Sequence, residues 1–291
     1  MDISLIICTR DHCDQLVRCL NSIQGIVFDQ PWELIVVDNG SIDETRSVVR
    51  EFISIIPIST LYIFEQNPGK SNALNTAIKT ARGEILAFTD DDCEPASDFL
   101  AQIWSAFNDP AVGFIGGRIV ERDPADHSIM VGGPTIPRTF PARSFIAAGV
   151  VQGGNMAFRQ TVLREIGGFD PLFGPGRFLA GEDCDAAGRA SAMGWSGEYR
   201  PEVLVRHHHG RKASDKPRVR RSYAIGRGAY HMKLLLSGEF ACFAQSVYEI
   251  PRSRLRCGTF LWEQLGAMKY TYLILARYFQ NRSGRSLSRE I

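Results

Sequence analysis

The chain has no long apolar run, no cysteine pairing pattern and almost no net charge, and each absence removes a class of protein. Its most apolar-rich stretch, residues 259–279, is interrupted by Glu263, Gln264, Lys269 and Arg277, so it falls short of a membrane-spanning helix but suits an interface. The seven cysteines form no C-x-x-C pair and are odd in number, which argues against a disulfide framework. The sequence does not open on a charged segment followed by an apolar one of signal length. The expectation is a reducing, cytoplasmic setting in which most cysteines act as small buried hydrophobes. The phosphate-binding patterns G-x-G-x-x-G and G-x-x-x-x-G-K-[ST] are missing from the first turn, which removes the ordinary dinucleotide and P-loop readings. Internal repeats and low-complexity segments are absent too.

What is present is an ordinary globular composition, 291 residues with 44% hydrophobic content, enough to bury a large core. The net charge of +1 hides an uneven distribution. Residues 206–291 carry 17 Lys+Arg against 5 Asp+Glu, a balance of +12, and residues 1–205 carry the compensating −11. A basic tail on an acidic body implies that the tail meets something anionic, a substrate diphosphate or a membrane surface, while the acidic body argues against nucleic acid.

Apolar runs of strand length alternate with amphipathic segments through the first half. Ile3–Cys8 reads as a strand, residues 14–23 as a helix, Trp32–Val37 as a second strand and Thr60–Phe64 as a third. Ser41 or Asp43 is placed to cap a helix carrying Val48, Val49 and Phe52, and a further helix runs to Ala81. Ile85–Thr89 is then an apolar strand that feeds directly into Asp90, Asp91 and Asp92, and Pro95 stops it from continuing. Strand–helix repeats with short connections predict an α/β fold, a mostly parallel Rossmann-like sheet flanked by helices. In such sheets ligands bind beyond the carboxyl ends of the strands, so Thr9, Asp38 and the three aspartates are expected on one rim. Adjacent carboxylates repel, and a divalent cation or several hydroxyl donors would complement them. A solvated acidic turn is the plainer alternative.

Further on, residues 97–107 read as a helix and Val112–Val120 as a strand. Residues 121–148 read as a long surface excursion, a lid or binding segment, and residues 160–166 as a helix. Glu182, Asp183 and Asp185 fall at the start of a helix running to about Met193, where the macrodipole favours carboxylates.

The ordered set Ile3–Arg10, Val36–Asp43, Asn67-Pro68-Gly69 with Asn75, Thr89–Asp92, Gly167-Gly168-Phe169-Asp170 and Gly181-Glu182-Asp183 resembles the inverting glycosyltransferases of family 2, with the GT-A fold. Each motif alone is weak, whereas their order over about 210 residues is specific. The resemblance implies a glycosyltransferase domain over residues 1–210, with a nucleotide-binding half at about 1–120 and an acceptor-binding half at about 121–210. Residues 211–291 would form a basic, mainly helical C-terminal extension.

It also implies a nucleotide-diphosphate-sugar donor and a hydroxyl of a carbohydrate or lipid-linked acceptor. Thr9, Arg10, Asp38, Asn67, Lys70, Asp90 and Asp91 are the implied donor-binding residues. A carboxylate at Asp38 accepts from a ring N–H, which suits UDP-, dTDP- or GDP-sugars, although Asp38 capping its own turn is the structural alternative. Asp90 and Asp92 match the outer positions of the family's D-x-D motif. In that family the first addresses the ribose or a metal-bound water and the second binds the Mg²⁺ or Mn²⁺ bridging the diphosphate, so the resemblance implies Asp92 and Asp90 at a metal site. His207 is the first choice for completing the metal site and His209 the second, since strand alternation puts both on one face. Asp183 is the implied general base, with Glu182 assisting or touching the acceptor, and Gly154 and Asn155 lie on the acceptor side. Two departures from the pattern, Leu74 and Ala77, leave Lys70 as the candidate positive charge near the diphosphate.

In the tail, Arg218, Arg220, Arg221 and Arg227 are spaced for a helix across the opening, where guanidinium groups would reach phosphate oxygens. Phe260, Leu261, Trp262, Tyr270, Tyr272 and Leu273 have the makeup of an interfacial helix, which predicts peripheral contact with an anionic inner membrane face. A helix packed on the body is the competing reading. Two other functions share parts of the pattern: a sugar-1-phosphate nucleotidyltransferase, which needs a glycine-rich basic loop that Thr9–His12 does not supply, and a non-catalytic nucleotide-sugar-binding module.

Overall fold

The computed structural model describes residues 1–122, 133–208, 210, 213–248 and 259–283. Nine strands form one sheet: β1 (Ile3–Thr9), β2 (Trp32–Asp38), β3 (Ser59–Phe64), β4 (Ile85–Asp90), β5 (Cys93–Pro95), β6 (Val112–Glu121), β7 (Arg138–Phe140), β8 (Asn155–Arg159) and β9 (Ser196–His207). The helices are α1 (Cys13–Gln24), α2 (Thr45–Ile55), α3 (Lys70–Thr80), α4 (Phe99–Ala106), α5 (Gln160–Glu165), α6 (Glu182–Ala192), α7 (Lys216–Leu236), α8 (Phe240–Tyr248) and α9 (Thr259–Ser283). Across the sheet the order is β3-β2-β1-β4-β8-β6-β9-β5, with β7 also on β9. The first four strands are parallel to one another; β8 runs antiparallel to both β4 and β6, and β6 is parallel to β9.

This order follows from the apolar pattern. Alternate residues of β1 feed two cores on opposite faces: Ile3, Leu5 and Ile7 pack with α1, α2 and α4, while Ile6 packs with α3, α5 and α6. Strands buried on both faces read as nearly continuous apolar runs, as β1 and β2 do. From β1 the chain winds outward to β2 and β3, then returns to place β4 on the other side of β1. That reversal opens a crevice at the carboxyl ends of β1, β2 and β4.

The structure corrects two expectations about the strands. Pro95 closes β4's direction of travel but ends a separate short strand, β5, which starts at Cys93 and pairs antiparallel with the end of β9. The excursion after β6 contains strand β7, whose residues 138–140 pair with 197–199 of β9; residues 123–132 lie outside the described part. Six cysteines are free thiols, four of them buried, and Cys257 lies outside the described residues.

The C-terminal helices attach through a third apolar cluster, in which Leu172, Phe173 and Leu179 meet Ala229, Tyr230, Leu234, Tyr270 and Leu273. Backbones of α7 and α9 touch: a methyl at Gly228 would collide with the Glu263 carbonyl, and one at Gly266 with the Ile225 carbonyl. No described helix is long and apolar enough to cross a membrane.

Candidate active site

The parallel register sets the first wall of the site. Thr9 of β1 pairs with Asp38 of β2, and Cys8 with Asp90 of β4, so residues up to 80 positions apart share one rim. The Thr9 hydroxyl is buried there without a hydrogen-bond partner, a cost that a ligand group could remove. Asp38 is buried and accepts from the Ser41 backbone N–H at 2.8 Å and the Tyr62 hydroxyl at 2.7 Å, so the turn-capping reading holds alongside any ligand role. Asn39, which sequence reasoning did not single out, fastens the rim: its amide donates to the Glu65 and Asn67 carbonyls, and its Oδ1 accepts from the Gly69 N–H at 2.7 Å. Only its place just past a strand end hinted at this.

Facing that wall is a buried ionic cluster. Lys70 begins α3, and its ammonium is in contact with Asp90 Oδ1 and lies 3.7 Å from Glu182 Oε1. The cluster has room because Gly153 and Gly154 carry no side chains. A methyl at Gly153 would come 2.9 Å from Lys70 Nζ, and one at Gly154 would come 3.3 Å from Asp90 Oδ2. Glu182 and Asp183 open α6 after Gly181, whose φ of 104° is in the left-handed region. Asp183 Oδ2 accepts the Gly153 N–H at 3.0 Å and Oδ1 accepts its neighbour Cys184's N–H at 2.7 Å, which fixes the carboxylate.

Electrostatics tune these acids toward proton transfer. Burial, reinforced by the negative charge of Asp183, pushes Glu182 up to about 7, against the pull of Lys70. Burial also raises Asp183, opposed by the two backbone donors and by Lys70. Burial works against the Lys70 charge, but Asp90 and Glu182 outweigh it and hold the ammonium well above its ordinary value. Asp183 is the more exposed of the two acids and Glu182 the more buried. An acid whose pKa is raised, which backbone donors hold in place and which keeps partial exposure, can accept a proton.

A candidate metal centre lies where β5 returns. Pairing of Cys93 with His207, and donation of the His208 N–H to the Asp92 carbonyl at 2.8 Å, bring His207 Nε2 to 3.1 Å from Asp92 Oδ1. Ligand atoms of Asp92, Cys93 and His207 all lie within 4.8 Å of one another. Burial, then Asp92, pushes the Cys93 thiol well above its ordinary range, which leaves a carboxylate oxygen and an imidazole nitrogen as the readier donors. Those donors fit a hard or borderline divalent ion such as Mg²⁺ or Mn²⁺. Asp90, expected here, is instead engaged by Lys70 and stands outside the group. His209 lies outside the described residues.

Several expected contacts are redirected. Asn155 is fully buried and its amide nitrogen is engaged: it donates to the Arg118 and Val203 carbonyls, each at 2.9 Å, while its Oδ1 has no hydrogen-bond partner. It bridges the register shift between β6 and β9, where strand pairing leaves carbonyls unserved. Asp91 is buried against His12 Nδ1 at 3.3 Å, and that hydrogen bond raises the His12 pKa. Arg10 is exposed and pairs with Asp11 at 3.6 Å, and the Asn67 side chain turns back to Glu65 at 2.8 Å. Three of the four tail arginines expected at the opening have partners within the extension: Arg227 pairs with Glu263 at 2.9 Å, Arg221 stacks 3.9 Å over Trp262, and Arg218 pairs with Asp215 at 3.5 Å, while Arg220 is exposed. Asp170 and Asp185 anchor the extension, since Lys233 of α7 reaches them at 2.8 and 2.6 Å.

Comparison with known proteins bears on the family and the fold. The family model "Glycosyl transferase family 2" matches residues 4–167. Among curated relatives, the glycosyltransferase AglE of Haloferax volcanii is 27% identical over 206 residues, covering 70% of this chain and 66% of the relative. The O-antigen chain rhamnosyltransferase WbaN of Salmonella anatum is 25% identical, covering 62% and 58%. The chain thus spans between half and two thirds of these relatives. Among solved structures, the mannosyltransferase PcManGT of Pyrobaculum calidifontis, in complex with GDP-Man and Mn²⁺, superposes with a TM-score of 0.66 at 22% identity, covering 94% of this chain and 75% of that one. S. aureus TarS 1-349 in complex with UDP-GlcNAc superposes at 0.58 and 17% identity, covering 93% and 79%. These likenesses bear out the GT-A fold.

Proposed function

The chain belongs to glycosyl transferase family 2, and from that premise we propose that it moves a sugar from a nucleoside diphosphate onto a hydroxyl of a carbohydrate or lipid-linked acceptor, with inversion and with a divalent metal. One observation carries the reading: Lys70 lies between the donor-side acid Asp90 and Glu182, the neighbour of Asp183, so the donor rim and a raised, positioned acid belong to one ionic cluster. The binding of GDP-Man and UDP-GlcNAc by the two structural neighbours supports the donor class.

Thr9 and Asp38 would hold the nucleoside, with the unpartnered Thr9 hydroxyl gaining a bond. Asp92 and His207 would hold the ion, which when bound offsets charge on the departing diphosphate. Lys70 would add a second positive charge at the same oxygens. Asp183 takes the proton from the acceptor hydroxyl as that oxygen bonds to the anomeric carbon, and the bond from that carbon to the diphosphate oxygen breaks on the opposite face. Attack from the far side inverts the configuration. A positioned base of this kind is worth about 10²- to 10⁴-fold. Glu182 would lie beside the incoming acceptor.

A thermal-shift screen of UDP-, GDP- and dTDP-sugars with and without Mn²⁺ tests the reading. A ligand at about 100 times its Kd adds about 2.7 kcal/mol, which is readable as a rise of several degrees. The metal-dependent part should vanish in Asp92→Asn and His207→Ala. No shift with any nucleotide sugar overturns the proposal, and a product of retained anomeric configuration by NMR overturns the inversion.

A further inference from the structure

Helix α9 has two faces of opposite fate. Glu263, Gly266, Tyr270 and Leu273 are buried against α7 and the body. On the other side Leu261, Leu265, Met268, Tyr272, Leu275 and Phe279 stand between 41% and 73% exposed. Steps of four and three residues line these six side chains along one stripe about 27 Å long. Between residues 259 and 280 the exposed positions of α9 are these six with Phe260, Tyr278 and Gln264, so the glutamine is the one exposed side chain that is neither apolar nor aromatic. A stripe this long is more than scattered surface leucines account for, and it marks a surface that something covers.

Charge chooses the occupant. Over residues 213–248 and 259–283 there are nine Lys and Arg against three acids, Asp215, Glu239 and Glu263. Glu263 is buried and held by Arg227, and Asp215 pairs with Arg218, so they do little to offset the positive surface. Arg218, Arg220 and Arg221 are exposed at the start of α7. A second copy of the chain would bring like charges together. The positions flanking the stripe, Trp262, Lys269 and Ala276 on one side and Gln264, Thr271 and Tyr278 on the other, include no acid to pair across a helical seam. An anionic bilayer complements both the apolar stripe and the exposed arginines at the start of α7, of which Arg221 lies over Trp262 at the stripe's edge.

We propose that α9 lies in the plane of an anionic membrane surface with the Leu261–Phe279 stripe inserted. The contact itself stands apart from the sugar-transfer reading; its purpose, meeting a lipid-linked acceptor, rests on that reading. The geometry connects the two, because α7, gripped by α9, sets Gly226 against the Ala180 carbonyl, two residues before Glu182.

The test is sedimentation of the full chain with vesicles of phosphatidylglycerol and phosphatidylcholine, and with phosphatidylcholine alone. The expected result is cosedimentation with the anionic vesicles that weakens as salt rises, since surface attraction is screened. The triple variant Leu265→Gln, Tyr272→Gln, Leu275→Gln should bind vesicles at least about tenfold more weakly. Its melting temperature and nucleotide-sugar thermal shift should stay at wild-type values, which separates failure of this contact from failure of the donor site. No cosedimentation of wild type at low salt overturns the proposal. So does a dimer, seen by light scattering without lipid, that the triple variant dissolves, because the stripe would then be a seam between copies.

Discussion

Replacing Lys70 by methionine keeps much of the side-chain bulk and removes the one positive charge set between Asp90 and Glu182. At 3.7 Å from Glu182 Oε1, a unit charge is worth about 4 kcal/mol at an effective dielectric near 20, a ceiling of about three pK units. Lys70 divides its attraction with Asp90, so an upward shift of about one to two units is the working expectation. The sign is unambiguous. A cation stabilises the ionised acid, and its removal favours the neutral form. Glu182, already pushed up to about 7 by burial and Asp183, would titrate above the physiological range. The acidic limb of the pH profile of kcat/KM should therefore move to higher pH. Because Glu182 and Asp183 titrate together, that limb reports the pair. Initial rates of transfer against pH for wild type, Lys70→Met and Lys70→Arg form the assay, with the arginine variant expected to restore most of the limb's position. If Lys70→Met loses donor affinity while its acidic limb stays within about 0.3 pH units of wild type, Lys70 serves the diphosphate alone and the coupling between donor acid and catalytic pair is wrong.

Other consequences can be read with simpler measurements. Asp183→Asn should lower kcat by about 10²- to 10⁴-fold and leave the nucleotide-sugar thermal shift intact; a loss under tenfold would transfer the base role to Glu182. Raised from 4.5 to about 7, Glu182 contributes stability through its proton that is fully present below 4.5 and lost as pH rises through about 7. Glu182→Gln should thus match wild type in denaturant stability near pH 4 and exceed it near pH 8 by about 1–3 kcal/mol, and equal stability at both pH values would refute the burial account. Asn155→Ala strands one buried and one part-buried carbonyl and should cost about 2–4 kcal/mol, seen as a lowered melting temperature at unchanged donor KM; a fully stable variant with a raised acceptor KM would return Asn155 to the acceptor side.

The parts of the fold that rest on short-range pattern were legible before any coordinates. Strands β1 to β4 announced themselves as apolar runs, and their polar ends fell on the rim where Thr9, Asp38 and Asp90 stand in register. The union of Asp92 with His207 was anticipated from motif order, yet the cause was not visible. It depends on β5, three residues long, folding back onto β9 just after the strand that Pro95 was thought only to end. Asn155 shows the limit from the other side. A polar residue after two glycines in a site motif reads as a ligand contact, but its fate is decided by the β6–β9 register shift, and nothing local to Gly153–Phe158 encodes where those strands slip.

Ion pairing was the least legible property, for a physical reason. A side chain's charge is evident from its letter, but its partner depends on which backbone lets it approach. Lys70 reaches Glu182 because Gly153 leaves the space open and Gly69, at φ 116°, turns the chain into α3 beneath Arg177. The same holds for the tail, whose arginines looked free to take phosphate until the α7–α9 contact at Gly228 and Gly266 gave Arg227 a buried carboxylate and Arg221 an indole face. With those two guanidinium groups engaged within the helix pair, Lys70 remains as a cation standing among the rim acids, in contact with Asp90 and 3.7 Å from Glu182. Its charge acts directly on Glu182, which burial pushes up to about 7, and on the proposed function that is why the charge at position 70, more than Arg221 or Arg227, should govern how rate depends on pH.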